Sequence, residues 1–172
     1  MAANLIAAQQ PELAEKMVLA STSVHITQEE FQTIESWIRL AEEGDAEGLY
    51  LAFGEALYPQ AVYEQSRDLL IDMAKTVTKE ELRRFIIFAE GMKGFDITAR
   101  LDQIQCPALA IWDRQDRVFC ATAMENLVQT SGRRSAFEVF LYDGYGHAVY
   151  DMAPDFMERM LRFLVPGKGE AQ

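Results

Sequence analysis

Two side chains in this sequence are flanked and spaced so that they could move a proton together, Asp116 and His147. His147 lies in Asp143-Gly144-Tyr145-Gly146-His147-Ala148-Val149, behind an apolar, strand-like run from Phe137 to Tyr142 and ahead of a helix-like run from Pro154 to Leu164. Imidazole titrates near neutrality, so a ring held on a glycine-rich turn between a strand and a helix is equipped for base catalysis. Asp116 closes the polar turn Asp113-Arg114-Gln115-Asp116, which follows a second apolar run from Cys106 to Trp112. A carboxylate beside an imidazole fixes its tautomer and stabilises the imidazolium formed when the ring takes a proton. Taken singly, each residue also has a plainer reading. A histidine among glycines is common in surface loops, and a turn aspartate often does no more than satisfy backbone N–H groups.

For the two to meet, the runs before them must be neighbouring strands. Pro107 to Trp112 is apolar throughout, as expected of a parallel strand covered on both faces. Between the two strands, Thr122-Ala123-Met124-Glu125 can cap a short helix carrying Leu127 and Val128, which Gly132 ends. Strand, helix, strand and helix in this rhythm imply right-handed parallel units, with both turns at the C-terminal ends of adjacent strands, where ligands gather. Met17 to Ala20 reads as a third strand. Before it, Met1 to Gln10 is rich in helix formers, has no capping residue in front, and is stopped by Pro11. The last helix carries Phe156, Met160, Phe163 and Leu164 on one face.

Between the first strand and the later pair, the periodicity is helical. Thr27-Gln28-Glu29-Glu30 and Thr78-Lys79-Glu80-Glu81 are capping boxes, Asp45 can cap another helix, and Pro59 can start one. Four amphipathic helices follow, with Phe31, Ile34, Ile38 and Ala41; Leu49, Phe53 and Leu57; Val62, Leu69 and Met73; and Leu82, Phe85, Ile86 and Ala89 as their apolar stripes. Because strands on either side need each other, this array reads as an insertion over a sheet. The expected organisation is a core from residues 1–24 and 95–165, a helical layer from 25–94, and a disordered tail from 166–172.

The chain has 172 residues, enough for one domain with a sizeable core, and half of them are hydrophobic. Its formal charge of −11 argues against a nucleic-acid backbone or an anionic membrane as partner. Much of that excess lies between Thr27 and Glu90, with 14 Asp/Glu against 6 Lys/Arg. Two cysteines (Cys106, Cys120) and two histidines (His25, His147) at no ligand spacing do not suggest a zinc site, and no cofactor is implied. The thiols read as small buried groups in a reducing compartment. With no secretory leader and no long apolar run, the expected location is cytoplasmic.

The run Ile104-Gln105-Cys106-Pro107-Ala108-Leu109-Ala110-Ile111-Trp112-Asp113-Arg114-Gln115-Asp116, followed by a helix, a strand and Asp143-Gly144-Tyr145-Gly146-His147, resembles the C-terminal part of the α/β-hydrolase-fold family. The resemblance implies that Asp116 is the acid and His147 the base of a Ser-His-Asp triad, and that residues 27–91 are the variable cap. It also implies that Pro11 to Ser23 spans the end of the helix behind the nucleophile and the next strand. Asp113 stands where members usually carry Gly, which makes it a rival for the acid. The implied fold is a partial α/β-hydrolase fold of about three parallel strands with a helical cap.

The family's nucleophile sits in a G-x-S-x-G elbow, and none occurs here. By the resemblance, that elbow would lie a few residues before Met1. Ser21 and Ser23 end a strand without flanking glycines, and Ser131 and Ser135 flank a turn, so all are poor substitutes. Trp37, Phe53, Tyr58, Phe88 and Phe95 are candidates for an acyl pocket, although their helical spacing also suits a core. The chain is therefore expected to act on a small-molecule substrate only when completed. Alternatively it is a non-catalytic interaction protein, or one half of a split enzyme. The first strand would then have a bare edge, leading to a homo-oligomer or to pairing with a complementary N-terminal half.

Overall fold

A computed structural model describes residues 1–119 and 137–165. The predicted helix at 122–132, Cys120, Ser131, Ser135 and the tail from 166 lie outside the described residues. The chain folds as an α/β structure. Three parallel strands, β1 (Met17–Ala20), β2 (Ala108–Asp113) and β3 (Phe137–Tyr142), form a sheet in the order β1-β2-β3. The register pairs Met17 with Ala108 and Ala108 with Phe137. Central strand β2 is buried along its whole length, as its unbroken apolar run requires. It extends one residue further than the sequence implies. Asp113 belongs to the strand, paired with Tyr142, and is not part of the turn.

Each sheet face is covered. Helix α1 (Ala2–Gln9) and a 3₁₀ segment, Thr98–Gln103, pack on one side, where Ala7, Ala8, Met17, Leu19, Ala110 and Trp112 form a core. On the other side, Leu109 and Ile111 meet Val149 and Phe156 from the short α6 (Val149–Met152) and from α7 (Phe156–Leu164). The alternation of side chains along β2 sorts even-numbered residues to the first face and odd-numbered residues to the second.

Residues 24–26 and 95–97 run antiparallel, with Ile26 N donating to Phe95 O and Ile97 N to Val24 O, each at 2.9 Å. His25 pairs with Asp96 in this stem. Beyond it stand α2 (Gln28–Glu43), α3 (Ala46–Leu57), α4 (Gln60–Ala74) and α5 (Lys79–Glu90). Both capping boxes form as their residue types dictate. Thr27 accepts from Glu30 N while the Glu30 carboxylate accepts from Thr27 N, and Thr78 and Glu81 do the same. Gly44 ends α2 in the left-handed conformation. Phe31, Ile34, Trp37, Ile38, Leu49, Leu82 and Ala89 make a separate core within the array.

The stripe on α4 differs from the expected one. Leu69 and Met73 point to solvent, and the face turned toward α3 carries Tyr63, Leu70 and the buried Ala74. The reason lies in α3. Gly54 offers no side chain there, and a Cβ at that position would collide with Leu70 Cδ1 and sit 2.8 Å from Tyr63 Cδ2. The glycine therefore sets which face of α4 turns inward, one residue round from the stripe of larger side chains. Among the described residues, no helix is long and apolar enough to cross a membrane.

The second face is tied down by a polar cluster. Tyr142 Oη donates to Asp155 at 2.7 Å, Arg159 pairs with Asp155 at 2.6 Å, and its guanidinium lies 3.3 Å over the Phe140 ring. The Tyr142 hydroxyl, then Arg159, hold the Asp155 carboxyl below its ordinary value of 3.8. A depressed folded-state pKa adds stability above the unfolded value and loses it as pH falls through the folded one. Thermal melts between pH 5 and pH 2 should therefore show a loss of stability that sets in below about pH 4. Asp155→Asn should lower the melting temperature at pH 5 and shrink the difference from wild type toward pH 2.

Candidate active site

The turn after β2 is organised around two carboxylates, which have different partners. Asp113, at the last strand position, is fully buried. Its Oδ1 accepts from Gln115 N at 2.7 Å and its Oδ2 from Tyr145 N at 2.8 Å, so it straps the β2 turn to the β3 turn. Asp116 comes three residues later. Its Oδ1 accepts from Val118 N at 2.8 Å and Phe119 N at 3.0 Å, and both carboxylate oxygens lie against His147 Nδ1, at 3.0 and 2.9 Å. The structure thus brings Asp116 and His147 together and gives Asp113 backbone partners on either side of them. Asp113 serves here to join the two turns.

Little of the pair meets solvent. The side chain of Asp116 is 2% exposed and that of His147 15%. With Nδ1 turned to the carboxylate as its N–H, Nε2 is left as the basic nitrogen, and it has no hydrogen-bond partner among the described residues. The Phe119 ring packs on the imidazole in a T-shaped pair with centroids 5.5 Å apart, and Phe119 itself belongs to the core of the helical array.

The His147 turn is shaped by two glycines. Gly144 and Gly146 take φ of +101° and +68°, a region other residues enter only with strain. Gly146 is also pressed against the corner between α3 and α4, where a Cβ would stand 2.8 Å from Leu57 O. The same carbonyl accepts from Ala148 N at 3.1 Å, and Arg117 Nη2 donates to the next one, Tyr58 O, at 2.7 Å. Pro59 follows immediately and α4 starts at Gln60, so the α3 helix stops here and these carbonyls are left without helical partners. The corner thus grips the acid turn through Arg117 and the base turn through Ala148. Sequence reading did not identify Arg117 or the two carbonyls. The proline break at 59 was the available signal.

The remaining candidates are dispersed. Ser23 donates its hydroxyl to His25 O within its own turn. Ser21 follows β1 with φ of +41°, and among the described residues its buried Oγ has no partner and neither serine hydrogen-bonds to His147. Burial pushes the Cys106 thiol up, which keeps it protonated and unreactive. Trp37, Phe53 and Phe85 stack edge-on at 5.0 and 5.2 Å inside the helical array, and Phe95 packs where that array meets the sheet core. Phe88, a pocket candidate by sequence, is 75% exposed, because Leu82, Phe85 and Ala89 form the inward face of α5. Tyr58 lies at the corner, where burial and then Asp151 push its phenol above the ordinary range.

This arrangement has counterparts. The chain is 29% identical over 168 residues to the protein named "Putative carbamate hydrolase RutD" of Agrobacterium fabrum, a match covering 94% of the chain and 62% of the relative. Among solved structures it is similar to MGS-M2, an α/β hydrolase enzyme from a Medee basin deep-sea metagenome library. There the TM-score is 0.84 at 21% identity, over 99% of this chain and 63% of that one. It is also similar to the enol-lactonase of Burkholderia xenovorans, with a TM-score of 0.76 at 16% identity, over 94% of this chain and 60% of that one. No protein-family model matches the chain. The fold is that of the α/β hydrolases, and the chain spans about three-fifths of the length of these relatives.

Two substitutions test the straps. Asp113→Ala leaves the buried N–H groups of Gln115 and Tyr145 without their carboxylate and should cost roughly 3 kcal/mol. Gly146→Ala combines a left-handed backbone with a collision against Leu57 O and should cost about 1–3 kcal/mol. Urea unfolding measures both, and wild-type midpoints for the two variants would show that neither strap holds the site.

Proposed function

We propose that this chain carries the general base and the orienting acid of an α/β-hydrolase that cleaves an acyl bond of the ester, lactone or carbamate class. The observation that carries the reading is the contact of both Asp116 oxygens with His147 Nδ1, in a nearly dry setting where Nε2 has no partner among the described residues. In this mechanism a serine hydroxyl gives its proton to His147 Nε2 as it attacks the carbonyl carbon. His147 then returns that proton to the leaving group, and Asp116 holds the tautomer and stabilises the transient imidazolium. Helices α2–α5 act as a cap, and the α3–α4 corner fixes the height of the imidazole. The proteins named for carbamate and enol-lactone cleavage both act on a carbonyl bonded to a heteroatom, and this sets the proposed substrate class.

The nucleophile and its oxyanion donors are proposed to come from polypeptide outside these 172 residues, as the three-fifths coverage and the lack of a G-x-S-x-G elbow suggest. The 172-residue chain should therefore hydrolyse activated esters no faster than its His147→Ala variant, and a fluorophosphonate should label no serine in it. Joined to a segment bearing such an elbow, it should turn over ester or carbamate. His147→Ala and Asp116→Asn should then each lower kcat by about 10⁴-fold. Equal turnover in the joined wild type and the joined His147→Ala variant would end the proposal.

The docking place for that segment is proposed to be the free side of β1. Among the described residues β1 pairs only with β2, and beside it lies a groove of about 620 Å³ lined by Ala3, Ile6, Leu13, Met17 and Leu164. Ile6 and Leu13 are more than half exposed there. An open strand edge flanked by apolar side chains is a template for pairing. A segment corresponding to the two-fifths of the relatives that this chain does not match is its proposed occupant, and a second copy takes its place when the chain is alone. Sedimentation at micromolar concentration should show a dimer or larger species. A compact monomer with a cooperative melt would count against the docking surface.

A further inference from the structure

Behind the Asp116–His147 pair, on the outer side of the corner, lies a cleft of about 390 Å³. Tyr58, Pro59 and Gln60 form one wall, Arg114 to Arg117 the other, and Gly146 lies between them. The available charge in this cleft is of one sign. Asp116 lines it too, but its carboxylate is 2% exposed and is already bound by two backbone N–H groups and the imidazole. The other acidic groups nearby have their own partners. Asp143 accepts from the Gln115 amide at 3.0 Å, Glu64 from the Gln60 amide at 2.9 Å, and Asp151 acts on Tyr58.

Several described cations, Arg114 and Arg117 among them, enter no ion pair, and these two are set apart by lining one cleft together. In a chain with 27 Asp/Glu and 16 Lys/Arg, acidic neighbours are plentiful. Lys75, Arg84, Arg159 and Arg162 all pair with carboxylates, whereas Arg114 and Arg117 enter no ion pair among the described residues. Arg117 is held in place by its one bond to Tyr58 O, which leaves its other N–H groups to the cleft. The exposed Arg114 guanidinium has no hydrogen-bond or ion-pair partner among the described residues, and its backbone N–H donates to Tyr142 O at 3.1 Å. A guanidinium presents a planar fork of donors matched to two oxygens of one anion, and two of them across one turn can share a single ligand.

We propose that this cleft is a binding site for a small oxyanion, a carboxylate or a phosphate, held between Arg114 and Arg117. It is separate from the position above His147 where the acyl group reacts, and its occupancy does not depend on a nucleophile being present. The ligand lies across Gly146, next to the base, so its binding is felt at the His147 turn through the same corner that fixes it. The groups named above are the acids that oppose the anion, and each is engaged elsewhere.

The test uses the 172-residue chain at constant ionic strength, titrated with sodium succinate and, in a second arm, with sodium phosphate. Isothermal titration follows the heat, and ¹⁵N–¹H spectra follow the Gly146 and Arg117 amides. Saturable binding is expected in at least one arm, with a dissociation constant of about 1 mM. Succinate alone identifies a carboxylate site, phosphate alone a phosphate site, and both together a general oxyanion site. Arg114→Ala should weaken binding about tenfold or more with the thermal melt unchanged, because that side chain is exposed and supports nothing. Arg117→Lys keeps the charge and tests the fork, and should also weaken binding. Arg84→Ala, on α5, should have no effect. Non-saturable heats with both anions, or wild-type affinity in Arg114→Ala, would overturn the site. Loss of acyl hydrolysis in the joined enzyme would leave these results untouched, so the two proposals fail separately.

Discussion

A carboxylate buried to 2% exposure cannot remain charged without partners, and Asp116 has three donors arranged around it. Two are backbone N–H groups of the turn it begins, so satisfying the charge fixes the path of the chain from 116 to 119. The third is the imidazole, which fixes the position of a residue 31 places further on. Because β2 and β3 are in register, Asp113 can hold the start of both turns from below while Asp116 holds them from above. Phe119, placed by the same turn, then packs on both the imidazole and the core of the helical array. One buried charge thus sets the geometry from the sheet to the helices.

The helical array is joined to this centre through its main chain. Leu57 O receives Ala148 N and leaves no room for a side chain at 146, while Tyr58 O receives Arg117. Helix ends have carbonyls to offer, and the proline at 59 places such an end where the two turns of the sheet come together. The specificity of this junction resides in the path of the backbone more than in the identity of residues 57 and 58.

Much of this was legible in the residues. The unbroken apolar run of β2, the capping boxes at Thr27 and Thr78, and the glycine-rich turn around His147 each state a local physical requirement that the fold meets. What could not be read depended on contacts between distant segments. Leu69 and Met73 have helical spacing, yet the inward face of α4 is chosen by the space above Gly54, which lies on another helix. Phe88 is aromatic and adjacent to the inward stripe of α5, but a 100° turn places it in water. Asp113 and Asp116 are alike in type and differ only in which neighbour the strand register brings to them. Arg117 acts on a backbone oxygen, and such partners leave no trace in side-chain patterns.

The antiparallel stem at residues 24–26 and 95–97 brings the entry and exit of the helical array side by side. Viewed from the sheet, the whole stretch is a loop of fixed span, whose length can change without moving the strands. Such a segment is a natural cassette: an ancestor could lengthen it, shorten it or trade it for another. The grip of Leu57 and Tyr58 on the His147 turn restricts that freedom. A replacement cassette would have to bring two free carbonyls back to the same place, so exchange here is constrained at one corner and permissive elsewhere. Divergence among proteins built this way should accumulate in the outer faces of α4 and α5 and slow at the α3–α4 junction.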